Sequence, residues 1–124
     1  MTQPSRIVWF EIPAPNLDRA IAFYSTVLDL PLKRDVFQSD NLAVFPYERP
    51  AVSGCLIETT KTKPSQDGVA IYLNCDGKLD GALERTPAAG GKVLAPKEAL
   101  PPGMGFVAQI IDSEGNRVGL HSAI

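Results

Sequence analysis

Apolar and polar positions along the chain predict one series of elements, written twice. Ile7-Val8-Trp9-Phe10-Glu11-Ile12 is β-branched and aromatic and stops at Pro13, which predicts a strand. Asn16 is placed to cap a helix beginning at Leu17. From there Leu17, Ala20, Ile21, Tyr24, Val27 and Leu28 recur at helical spacing, giving an amphipathic helix of about three turns that ends before Pro31. Shorter strand patterns at Leu32 to Phe37, Leu42 to Phe45 and Cys55 to Thr59 complete the order β-α-β-β-β.

A polar stretch from Thr60 to Gly68 then breaks the pattern, and the order restarts. Val69 to Leu73 reads as a strand, and Asp76-Gly77 turns the chain into a helix whose Leu79-Asp80-Gly81-Ala82-Leu83 repeats Leu17-Asp18-Arg19-Ala20-Ile21. Gly90-Gly91 ends that helix. Lys92 to Ala95, Phe106 to Ile111 and Arg117 to His121 supply the remaining strands, the last two joined by the polar turn Asp112-Ser113-Glu114-Gly115-Asn116. One shared string is weak evidence for a repeat, but the same element order in both halves is strong evidence. The expectation is an α+β fold in one domain spanning residues 1–124: a first βαβββ module at about 5–60, a linker at 60–68 and a second module at about 68–124. Neither module is large enough to bury both faces of its sheet, so the two should pack together. A single irregular α+β sandwich is the competing reading.

Composition narrows the function classes. At 124 residues, 44% hydrophobic and 21% charged, the chain can bury one core and has no room for a second domain. Twelve basic and fourteen acidic residues leave a net charge of -2 with no basic patch, so no nucleic-acid partner is expected. No apolar run approaches the roughly 20 residues of a membrane span, and Met1 to Arg6 lack the core of a signal peptide. Cys55 and Cys75 are too few for a disulfide framework and too far apart for a CxxC site. They read as small apolar fillers, and a reducing, cytoplasmic setting is expected.

Trp9-Phe10-Glu11-Ile12-Pro13 followed by Asn16-Leu17-Asp18-Arg19-Ala20-Ile21-Ala22-Phe23-Tyr24 resembles the opening of the vicinal-oxygen-chelate superfamily, which includes glyoxalase, bleomycin-resistance and dioxygenase proteins. The closing stretch from Phe106 through Asp112-Ser113-Glu114-Gly115-Asn116 to Ser122 resembles its end, and Ala88 to Leu94 its second helix and following strand. The resemblance implies paired βαβββ modules forming a cupped, mixed β-sheet of about eight strands around a ligand site. It also implies a homodimer. Family activities range from isomerisation and ring-opening dioxygenation to drug sequestration, and the fold does not choose among them.

The positions that carry metal ligands in metal-dependent relatives fall, by this resemblance, near Trp9, Gly54, Ala70 and Gly119. None has a ligating side chain, and His121 is the chain's one histidine, so no metal and no other cofactor is expected. Side chains alternate along a strand, which puts Glu11 on the face of Trp9 and His121 on the face of Gly119. If their strands were neighbours, Glu11 and His121 would form a carboxylate–imidazole pair suited to acid–base catalysis; otherwise they are rim or structural residues. Trp9, Tyr72, Asn74, Met104, Phe106 and Gln109 are the candidate ligand-binding residues, with Glu58 a further cup candidate. Three functions stay open. One is a metal-independent isomerase- or lyase-type enzyme acting through Glu11 and His121. Another is a non-catalytic small-molecule-binding or drug-sequestering protein, and the third a metal enzyme with non-standard ligands.

Overall fold

Asn16 begins α1 as expected: its side-chain oxygen accepts the Arg19 backbone N–H at 3.0 Å, and the helix runs Leu17–Val27. The computed structural model describes residues 3–124. Around α1 the first module comprises β1 (Glu11–Pro13), β2 (Lys33–Phe37), β3 (Asp40–Val44) and β4 (Cys55–Glu58). The second comprises β5 (Tyr72–Asn74), α2 (Leu79–Arg85), β6 (Lys92–Ala99), β7 (Phe106–Ile111) and β8 (Arg117–Ser122). The eight strands form two four-stranded mixed sheets, ordered β1-β4-β3-β2 and β5-β8-β7-β6. In each, the first strand pairs parallel with the last and the other pairs are antiparallel. The repeat read from the sequence is therefore a repeat of topology.

Two boundaries differ for physical reasons. The first strand of each module is shorter than its apolar run, because only Glu11–Pro13 and Tyr72–Asn74 have a ladder partner. Ile7, Val8 and Val69, at the bare ends of those runs, are 62%, 77% and 93% exposed. Conversely, β6 continues through Pro96 to Ala99. It is an edge strand, and its register shifts between Val93 and Ala95 and again between Ala95 and Glu98, which accommodates a residue with no N–H to donate.

One side of each sheet builds the core. Ile12, Ala43 and Leu56 of the first sheet and Leu73, Ala108, Ile110, Val118 and Leu120 of the second join Leu17, Ala20, Phe23, Tyr24 and Val27 of α1 and Leu79 and Ala82 of α2 in one cluster. The modules meet through this shared core, with α1 against α2. Phe23 lies so close to Gly91, at the start of β6, that a Cβ there would come within 2.6 Å of its ring. Because β6 is the far edge of the second sheet, module 1 sits against that end, and β1 and β5 do not lie side by side. Both remain open edges.

A polar clamp fixes this arrangement. The buried Tyr24 hydroxyl donates to Asp112 Oδ2 at 2.6 Å, and burial, then the Asp112 charge, pushes its pKa well above 10.0. Asp112 Oδ1 accepts the backbone N–H groups of Glu114 and Asn116, both at 2.9 Å. Asn116 Nδ2 donates to Asp112 Oδ2 at 3.1 Å and to the Pro13 carbonyl at 2.8 Å, so the β7–β8 turn holds the end of β1. Glu114 accepts Arg19 Nε at 2.6 Å and the Asn16 N–H at 2.9 Å. Burial raises the Glu114 pKa, but the hydrogen bonds from Arg19, Asn16 and Ser113 outweigh it and leave the group below 4.5.

Candidate functional site

The faces turned away from the helices are where a ligand would meet this chain. On the first sheet, Ile12 and Leu56 face the core, so Trp9, Glu11 and Cys55 share the opposite face. Trp9 meets Tyr47, from the loop before β4, edge to face with ring centroids 6.4 Å apart and planes at 71°. A cleft of 530 Å³ opens between Val8 and Trp9 on one side and the loop of Tyr47, Arg49, Val52 and Ser53 on the other.

On the second sheet the Tyr72 ring lies across Gly119, its ladder partner, where any Cβ would overlap it. Gln109 Nε2 donates to the Tyr72 hydroxyl at 3.1 Å, so these two predicted residues are brought together. Asn74 pairs in register with His121, but its Oδ1 accepts the Asp76 N–H at 2.8 Å, in the turn before α2. His121 Nε2 lies 2.8 Å from the Met104 carbonyl, tying the ring to the Leu100–Gly105 loop, which the Leu100 N–H closes onto the Gly105 carbonyl at 2.8 Å.

Three expectations need correction. Phe106 does not line this face: residues 106, 108 and 110 share the helix side, where Lys97 Nζ, itself bonded to Asp80 of α2, sits 4.7 Å from the Phe106 ring centre. Strand alternation overrides its place at the mouth of the loop. Glu58 also lies on the helix side, where Oε2 accepts the Leu17 N–H at 3.1 Å and helps cap α1. Glu11 and His121 sit on separate sheets, and among the described residues no ion pair joins them. One chain does not assemble that pair.

Of the metal-ligand positions inferred above, Gly119 has no room for a ligating side chain and Gly54 does not face the cup. A Cβ at Gly119 would overlap the Tyr72 ring, so an aromatic ring fills the space a ligating side chain would use there, whereas Gly54 shares the helix side with Leu56 and its Cβ would meet Phe10 in the core. Among the described residues no three His, Cys, Asp or Glu side chains are grouped to hold an ion. The thiols offer no nucleophile either. Burial, reinforced by the Glu11 charge and opposed by Trp9, raises Cys55 from 9.0 to about 11. Burial, reinforced by Asp76 and opposed by Arg85 and Lys78, does the same for Cys75. Iodoacetamide at neutral pH should therefore leave both thiols of the native protein unmodified while labelling both in urea, as mass spectrometry would read. Because the folded pKa values lie above the unfolded ones, the stability tied to protonated thiols is intact below pH 9.0 and falls as pH rises towards 11.

The loop carrying Tyr47 and Arg49 has only a weak signal in the sequence, an aromatic and a basic residue before a strand pattern.

The model for the Glyoxalase/Bleomycin resistance protein/Dioxygenase superfamily matches residues 6–120. The chain belongs to that superfamily. Solved structures agree at the level of fold. A glyoxalase/bleomycin resistance protein from Albidiferax ferrireducens T118 superposes with a TM-score of 0.69 at 16% identity, over 95% of this chain and 99% of that one. The fosfomycin resistance protein FosX from Listeria monocytogenes gives 0.63 at 15%, over 97% and 94%. A glyoxalase I mutant from Zea mays gives 0.66 at 23% over 94% of this chain, which spans only 45% of that longer one. A search of curated proteins found no sequence match. Among the described residues of this glyoxalase-superfamily chain, no helix is long and apolar enough to cross a membrane.

Proposed function

We propose that this superfamily member binds a small organic molecule in an aromatic-lined cup completed by a second copy of the chain, and that it does so without a metal ion. The observation that carries the reading is the pair of bare edges. β1 and β5 each end a sheet, each borders a face carrying exposed aromatics (Trp9 and Tyr47, or Tyr72), and each is preceded by an unpaired apolar run. Open edges of this kind are normally covered. A two-fold dimer that sets β1 of one protomer against β5 of its partner covers both edges at once and joins each half-cup to its complement. Sedimentation of the purified protein should give twice the 13.3 kDa chain mass, and metal analysis of untagged protein should find no stoichiometric metal. A thermal-shift screen of small aromatics and metabolites should find ligands that raise the melting temperature by mass action. A monomer with no stabilising ligand would overturn the reading. Protonated thiols and modest acidity fit a cytoplasmic, reducing setting without nucleic acid.

A binding role is favoured over catalysis because, among the described residues, no carboxylate of the same chain pairs with the His121 ring, whose Nε2–H donates to the Met104 carbonyl. The catalytic alternative rests on the same dimer, in which Glu11 of one protomer and His121 of its partner border one seam. His121→Gln separates the two: it abolishes any turnover if the pair is catalytic, and leaves ligand affinity within a few-fold if the cup only binds.

A further inference from the structure

The cleft beside Trp9 has a charge pattern that narrows the ligand. Its 530 Å³ fall within the roughly 300–1,000 Å³ typical of small-molecule sites. Trp9 and Tyr47 meet at a steep angle and stay 40% and 43% exposed, so the two rings form a corner that keeps accessible aromatic surface beside the cleft. A planar ring stacked on one wall meets the other edge-on, the geometry that aromatic quadrupoles prefer. Among the described residues Arg49 is the one charged residue of the lining. Among the described residues its guanidinium makes no ion pair, even with Glu48 beside it in the chain. In a protein of net charge -2 an arginine with no carboxylate partner, set beside two aromatic walls, is not part of a general basic surface. Its planar fork of donors matches a carboxylate in two parallel hydrogen bonds.

We infer that this cleft takes a small planar aromatic acid, its ring in the Trp9–Tyr47 corner and its carboxylate on Arg49. The inference rests on the cup reading above and adds the ligand's chemical class. Trp9 is the chain's single tryptophan, so its fluorescence reports this cleft alone. The test titrates the unmodified protein and Arg49→Gln with 4-nitrobenzoate and its neutral isostere 4-nitrobenzamide, correcting for absorbance and sedimenting the same samples. In the unmodified protein both probes quench saturably and the acid binds about tenfold more tightly, the worth of one good charge-assisted contact. Arg49→Gln weakens the acid far more than the amide and so removes that preference. Equal binding of acid and amide by a dimeric protein, or a preference that survives Arg49→Gln, overturns the acid assignment while the cup stands. Absence of quenching by either probe overturns the cleft as an aromatic site. Sedimentation as a monomer instead counts against the cup itself.

Discussion

Replacing Asp112 with alanine is expected to cost about 3–5 kcal/mol of folding stability, the largest loss from any single polar change in this protein. Its carboxylate takes four donors: the Tyr24 hydroxyl, the backbone N–H groups of Glu114 and Asn116, and Asn116 Nδ2. Only the last keeps another partner, the Pro13 carbonyl. The truncation strands the fully buried Tyr24 hydroxyl and loosens the turn that grips both α1 and the end of β1. Urea denaturation would show the midpoint falling by about 2 M for a typical slope. Tyr24→Phe is the control. It removes one donor and leaves Asp112 three others, so the loss should be about 1 kcal/mol. Equal losses from both would mean that Asp112 acts only through Tyr24.

The second large effect is on assembly. Val8→Lys places a charge on the bare run before β1, the surface proposed to meet β5 of the partner. Edge lysines are a standard block to strand pairing, and charging the centre of an apolar seam weakens association by about 100-fold or more. At micromolar concentration sedimentation should move from dimer to monomer. Ligand binding should fall with it; because Val8 also lines the cleft, the oligomeric state and not the affinity is the readout that tests the seam. Val8 is too exposed for the change to unfold the chain, so the urea midpoint should stay within about 0.5 M. A dimer that persists in Val8→Lys would move the interface elsewhere.

How far the sequence reveals this protein follows from which interactions are local. The duplicated order of elements was legible because strands and helices are set by apolar period, caps and breakers: Asn16 caps α1, and Asp112 to Asn116 make the turn read from their residue types. The loss of the metal positions was half legible. Glycine at 119 showed that no side chain could ligate there, but not that Tyr72 lies across it, and nothing local showed that Gly54 faces the core beside Phe10. Phe106 and Glu58 were misplaced because their face depends on strand register, which a one-residue slip reverses. The Tyr24–Asp112 clamp joins residues 88 apart and has no local signature. Nor could the sequence show that the modules meet through their helices and leave β1 and β5 bare. That outcome depends on how Phe23 packs at Gly91, a contact between halves with no trace in either half's pattern.

The shared cup can be tested without knowing a ligand or an exact register. Val69→p-benzoylphenylalanine puts a photo-crosslinker on the exposed run before β5, 93% accessible in one chain, where it disturbs no core packing. Irradiation is expected to give a covalent dimer at twice 13.3 kDa, with mass spectrometry placing the link within the Ile7–Phe10 segment of the other protomer. Crosslinks to residues 7–10 of the same chain, with the product still at 13.3 kDa, would mean that one chain closes its own cup, and would contradict a shared one.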